Sequence, residues 1–243
     1  MTHKTKGIVL RTVKYGETSL VATIFTELFG VQVYMVNGVR SSKQSSSKAN
    51  LLQPGAILDL LVYHSDQKSI HRIREFSWGV LYQNVLSDVI KNCIALYMVE
   101  LLYKCLKQPE QNTALFYFCE DVLLHLDTAD KAVTANMPLY FALHLPHFLG
   151  LKINDDYEEA QSILDLQEGS FVAEQPVHPN FISGENARLT SQLLRVMQPH
   201  ELSQFHLHHE VRRKLLHHYH DYYALHIPEF GELKTLAVLQ DVL

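Results

Sequence analysis

GETSLVATIFTELFGVQVYMVNGVRSSKQSSSKANLLQP, residues 16–54, decides the fold. In SLVATIFT, at 19–26, Leu20, Ala22 and Ile24 fall on one side while Val21, Thr23 and Phe25 fall on the other, the period of two that marks a strand. After Gly30, VQVYMV at 31–36 repeats the pattern, with Val31, Val33 and Met35 against Gln32, Tyr34 and Val36. Asn37-Gly38 supplies turn chemistry. SSKQSSSKAN, at 41–50, has no apolar residue larger than alanine, so burial cannot offset its ordering entropy, and it reads as a mobile loop. Arg40, Lys43 and Lys48 make that loop cationic. The stretch is a β-meander with a basic loop hanging from it.

Working outward, GIVLRTVKY at 7–15 is a β-branched strand that precedes the meander. Pro54-Gly55 ends the loop, AILDLLVY at 56–63 is a fourth strand, and SIHRIRE at 69–75 is a fifth. Five short strands with one long loop predict a small closed barrel of the OB kind; a sandwich would usually need more strands. From residue 84 the apolar period changes to 3.6, with Leu86, Val89, Ile90, Cys93, Ile94, Tyr97, Met98, Leu101, Leu102 and Cys105 in one wide stripe, capped by Asn84 with Asp88 in the first turn. A second helix is expected near 113–126, and a third ends at Gly150, bent by Pro146. Residues 151–182 hold two turn-bounded apolar scraps, SILDL and SFV, and read as an irregular insert. Helices resume at about 185–197, 208–226 and 229–242. The fold class is therefore two-domain: an all-β OB-fold barrel over 1–80, then a mainly α-helical domain over 81–243 with the insert at about 151–182.

At 243 residues, 47% hydrophobic and 19% charged, the chain has the makeup of a soluble globular protein with a real core. No apolar run is long enough to span a membrane, and MTHKTKGIVL lacks the apolar centre of a signal peptide, so a cytoplasmic location is expected. Cys93, Cys105 and Cys119 stand alone in helical patterns and read as reduced, buried thiols. The net charge of −5 hides an asymmetry: residues 1–76 carry ten Lys/Arg against five Asp/Glu, a net of +5, and the remainder eleven against twenty-one, a net of −10. A basic module joined to an acidic one points to a polyanion partner for the first.

Mobile cationic loops on OB barrels clamp single strands, because phosphates supply attraction and the barrel face supplies stacking rings. Arg40, Lys43 and Lys48 are the candidate phosphate contacts, with Arg72 and Arg74 on a neighbouring strand. Tyr34 is a candidate for stacking a base or for the barrel core, and the loop could also be a solvated linker. Fifteen histidines raise the question of a metal, especially His206, His208, His209, His217, His218 and His220, yet this run contains no His–His pair at i, i+4 and no H-E-x-x-H. Core-edge or surface histidines fit better, and no metal or cofactor is assigned. The acidic run 155–159 reads as a solvated loop. Glycine-rich phosphate cradles and the G-x-S-x-G elbow are absent, no nucleophile sits with a base, and no catalytic residue is named.

Gly16-Glu17-Thr18-Ser19-Leu20, Phe25-Thr26-Glu27, Gly30, Gly38-Val39-Arg40 and Leu52-Gln53-Pro54 follow the order and spacing of the N-terminal pattern of the bacterial RecO family, which this chain resembles. His147-Phe148-Leu149-Gly150 is similar to the helix end before that family's variable insert. Asp165-Leu166-Gln167-Glu168-Gly169, Arg212–Leu216, Tyr222-Tyr223 and His226-Ile227 are similar to members from the Bacteroidetes-like branch. The resemblance implies an OB barrel followed by a helical domain, and a recombination mediator in DNA repair that is not an enzyme. It also implies binding of single- and double-stranded DNA and hence a nucleoid-associated location, annealing of complementary strands, and partnership with RecR, RecA and single-stranded DNA-binding protein. Some members hold zinc with four cysteines in the insert; residues 151–182 here contain none. Arg212, Arg213 and Lys214, beside Leu215, Leu216, Tyr219 and Tyr222, are the candidate site for an acidic partner tail with an apolar end; pairing with Glu210 or Asp221 is the rival reading. Rival functions are an RNA-binding OB protein and a His/carboxylate metalloenzyme.

Overall fold

The structure, a computed structural model, describes residues 2–39, 45–65 and 67–242. Its first part is a closed five-stranded barrel: β1 (Thr2–Tyr15), β2 (Ser19–Thr26), β3 (Gly30–Val36), β4 (Ile57–Tyr63) and β5 (His71–Trp78), in the spatial order β1-β2-β3-β5-β4. β1 begins earlier than its apolar run because the polar segment from Thr2 pairs with β4, Thr2 opposite Tyr63 and Ile8 opposite Ile57. β3 and β5 close the cylinder in parallel, Tyr34 opposite His71 and Met35 opposite Arg72. Val9, Leu20, Ala22, Ile24, Tyr34, Val36, Leu58, Leu60 and Val62 fill the interior.

The expectation of a structureless 41–50 needs correction at its end, since Ser45–Leu51 forms a short helix, α1. Ala49 and Leu51 pack on the barrel core and Leu52 is buried beside them. That burial comes mostly from two leucines just past the serine-rich window, which is why the window's composition concealed it.

The second part is built on α2 (Val89–Cys105), α3 (Thr113–Thr128) and α4 (Lys131–His144), followed by a 3₁₀ turn at Leu145–Leu149 that ends on left-handed Gly150. Pro146 lies in that turn's first positions, where its missing N–H costs nothing. α2 starts later than expected: Asp88, not Asn84, is its cap and accepts the Lys91 N–H at 2.9 Å. Val89 and Ile90 consequently face outward, Val89 at 70% exposure, and the buried stripe begins at Ile94.

The insert is ordered rather than irregular. SILDL and SFV supply β6 (Ile163–Asp165) and β7 (Ser170–Val172), and β8 (Phe181–Ile182) completes a small antiparallel sheet in the order β7-β6-β8. Leu164, Phe171 and Ile182 join the helical core. Asp165 caps the intervening turn, accepting the Gln167 N–H at 2.7 Å, and lies 3.3 Å from His178. Then come α5 (Gly184–Leu194), a 3₁₀ turn at Pro199–Gln204, α6 (His209–His226) and α7 (Lys234–Val242). Among the described residues no helix is long and apolar enough to cross a membrane.

The barrel interior is a core of its own, and the barrel's outer wall packs on the core of the helices. Ile8, Leu10, Phe25 and Ile57 turn outward from the barrel into the helical cluster, and the rings of Phe25 and Phe116 lie 5.7 Å apart. The seam is stitched by the connection after β5, where the Asp127 carboxylate accepts the backbone N–H groups of Gln83, Asn84 and Val85 at 2.8, 2.7 and 2.8 Å. At the other side Gly30 has φ +62°, and a Cβ there would stand 2.1 Å from the Glu110 carbonyl oxygen, so only glycine makes this turn against the helical part.

Candidate nucleic-acid interface

An irregularity in β5 shapes the site. Leu61 pairs with Glu75 but Val62 pairs with Ile73, so Arg74 is an extra residue, a β-bulge. Alternation resets there. Ile73, Phe76 and Trp78 pack against the barrel core, while Arg72, Arg74 and Glu75 are all exposed. A regular strand would have exposed every second residue; the bulge places two charged neighbours outside together.

Lys48, from α1, reaches the same place. Lys48, Arg72 and Arg74 line one hollow of about 280 Å³ with Met35, Asn37, Val39, Ile73 and Phe76. No acidic residue is among the described residues lining it, so its field favours an anion, with the Glu75 carboxylate, 3.3 Å from the Arg74 guanidinium, offsetting part of that charge. Three of the five cations named from the sequence therefore converge. Arg40 and Lys43 lie outside the described residues; Arg40 is the next residue in the chain after Val39.

A second groove, of about 710 Å³, adjoins the first and shares Lys48, Arg74 and Phe76. Lys4 and Lys6 enter it, but so do Glu27, Asp59 and Glu75, which offset most of the positive charge. Lys6 is also engaged by Glu120 at 2.8 Å; this hydrogen bond holds the ammonium pKa above its ordinary value against the opposing effect of burial. Lys4 and Phe76 were not singled out in the sequence. Lys4 lies in the polar start of β1, and Phe76 follows the bulge, so simple alternation gives it no clear side.

Tyr34 requires correction. It is 0% exposed, enclosed in the barrel near His71, and burial pushes its phenol far above the ordinary range. It is not available to stack a base. The strand presents Val31, Val33 and Met35 outward and puts Gln32, Tyr34 and Val36 inside, where the Gln32 amide donates to the Phe29 carbonyl at 2.7 Å.

The Arg212–Lys214 cluster is also rearranged relative to expectation. Leu215, Leu216, Tyr219 and Tyr222 are buried in the helical core, so they form no apolar strip at the surface. Arg212 is half-buried and donates to the Leu207 carbonyl, exposed Arg213 donates to the Gln240 carbonyl at 3.2 Å, and Lys214 is exposed. An open groove of about 650 Å³ ends at Val211, lined also by Leu189, Phe205 and Leu207 with Arg195, His206, His208 and the acidic Glu185; Arg212, Arg213 and Lys214 are not in its lining.

Among the described residues no three His, Cys, Asp or Glu side chains gather to hold a metal ion. His220 is buried against Tyr97, 2.8 Å from its hydroxyl, and Cys105 and Cys119 are buried thiols whose pKa burial raises.

The comparisons with known proteins agree with this architecture. Residues 1–79, the barrel, match the family described as Recombination protein O N terminal, and residues 86–237 match Recombination protein O C terminal. The chain is 33% identical to the DNA repair protein RecO of Bacteroides fragilis over 243 residues, covering 100% of this chain and 99% of that one. It is 32% identical over 243 residues to the protein of the same name from Phocaeicola vulgatus, with the same coverage, and 30% identical over 240 residues to that of Flavobacterium psychrophilum, covering 98% of each. A closed barrel bearing a cationic hollow, packed by its outer wall on a helical bundle and matched along its whole length, places this chain in the RecO family of DNA repair proteins.

Proposed function

We propose that this chain is a recombination mediator that binds single- and double-stranded DNA on its barrel, with Lys48, Arg72 and Arg74 on phosphates and Arg40 and Lys43 extending the contact. The observation that carries this reading is the convergence of three cations on one hollow of a barrel attached to an otherwise acidic body. Phosphate contacts act by Coulomb attraction and counterion release, so the activity needs no bond-making residue. Annealing complementary strands fits such a surface, because neutralised backbones approach one another more readily. Loading of recombinase on strands coated by single-stranded DNA-binding protein, together with RecR and RecA, is carried over from the family resemblance. The exposed cations Arg213 and Lys214 are the place proposed for an acidic partner tail.

The test is fluorescence anisotropy of labelled single-stranded DNA at several salt concentrations. Alanine at Lys48, Arg72 or Arg74 should weaken binding whatever the base sequence, and each should flatten the log–log salt slope by about one. A triple variant with wild-type affinity and slope would put the DNA site elsewhere. Competition by RNA as strong as by DNA would favour an RNA-binding role instead.

A further inference from the structure

The outer face of the barrel carries a row that the cationic hollow does not explain. The strand registers set Val13 opposite Val21, Val21 opposite Met35, Met35 opposite Arg72 and Arg72 opposite Tyr63. These five side chains therefore form one lateral band across all five strands. They point away from the barrel core, because the pairs one position along, Ala22 with Tyr34 and Val62 with Ile73, point into it. Val13 and Tyr63 are 47% and 48% exposed, and Ile70, just before β5, is 49% exposed.

Met35, Tyr63 and Ile70 line a hollow of about 810 Å³ that also receives Lys68 and Arg72. Apolar and aromatic surface beside cations is complementary to an unpaired strand, whose bases offer flat π faces and whose backbone offers phosphates. A duplex keeps its base faces in the stack and presents only the phosphates. Met35 and Arg72 line both this hollow and the cationic one, so a strand held by Lys48 and Arg74 continues directly onto the band. That continuity favours nucleic acid over an apolar protein surface as the occupant.

We infer that this outer face is a base-stacking platform, with Tyr63 as the ring, Met35 and Ile70 as its apolar flanks, and Lys68 and Arg72 on the adjoining phosphates. The platform gives the barrel a preference for unpaired over paired DNA; the inference rests on the DNA-binding reading above.

The experiment uses the full chain and three labelled probes of equal phosphate count: unpaired oligothymidine, an abasic backbone and a duplex. Tyr63→Ala combined with Ile70→Ala should weaken oligothymidine binding about tenfold while leaving the salt slope, and affinity for the abasic and duplex probes, within about twofold of wild type. Tyr63→Phe should retain wild-type affinity, since stacking needs the ring and not the hydroxyl. Both positions are exposed, and a thermal melt of each variant confirms that it is folded. Undiminished oligothymidine binding by the folded double variant would overturn the platform and leave the face to a protein; an equal loss on the abasic probe would overturn it too. A wild-type protein that bound none of the three probes at low salt would instead overturn the DNA-binding reading on which the platform rests.

Discussion

Lys6 on β1 and Glu120 on α3 meet at 2.8 Å across the seam between barrel and helices. Glu120 is buried, whereas the Lys6 side chain keeps 39% of its exposure, so the pair lies between a surface bridge and a buried one. Glu120→Gln should lower stability by about 1–2 kcal/mol in urea unfolding. It should also free a cation beside the mixed-charge groove and slightly tighten DNA binding at low salt. Unchanged stability would show that solvent screens the pair entirely.

Asp127 fastens the connection between the two parts. Burial alone would raise its carboxyl pKa, but three backbone N–H donors, assisted by Lys91, outweigh that and hold it below the ordinary value. A depressed folded-state pKa means that the stabilisation is complete above the unfolded value, about pH 4, and is lost as pH falls through the folded value. Asp127→Ala leaves three donors without their acceptor and should cost about 2–4 kcal/mol near neutrality. The difference from wild type should shrink as the pH is lowered toward 3. Chemical denaturation at pH 7 and below pH 4 measures both.

His220 provides a pH dependence in a different window. Burial beside Tyr97 lowers its pKa to about 4, so the folded protein holds it neutral while the unfolded chain takes up a proton below about pH 6.5. Stability from this group is complete above 6.5 and declines as pH falls toward 4, by about 2 kcal/mol at pH 5. His220→Gln should be less stable than wild type at pH 7 and should lose less on going to pH 5. Equal slopes for the two proteins would remove His220 as the cause.

Chelation should leave the protein unchanged. The insert is closed by Asp165, which accepts the Gln167 N–H and lies beside His178, and by Leu164, Phe171 and Ile182 in the core. No binding energy of a metal is then linked to folding. A melting curve in excess EDTA should superimpose on the untreated one, and metal analysis of tag-free protein should find no stoichiometric zinc. Asp165→Ala should instead lower the melting temperature with or without chelator.

The barrel was legible because its strands alternate, and the helices because their period is 3.6; both signals are local. What the sequence withheld depends on partners. Alternation divides 31–36 into two faces without saying which is inside, and Tyr34 fell on the buried one. The bulge at Arg74 exists only relative to Leu61 and Val62, so Phe76 could not be assigned a side. Strands of two or three residues, as in the insert, are too short to show a period. Arg72, Arg74 and Lys48 were identifiable by charge, but their meeting is a property of the closed cylinder. Arg212 was read on a helical face whose leucines and tyrosines turn out to be interior.

Ile8, Leu10, Phe25 and Ile57 belong to the barrel by sequence and to the helical bundle by packing. The protein consequently has no free joint at the end of its barrel. Cut there, each half would show the other's missing wall as a sticky apolar scar, and the shorter piece would tend to clump rather than serve as a minimal DNA binder. In the intact molecule the same arrangement makes the barrel a handle: a force applied to its outer wall passes through these four side chains into the helical body.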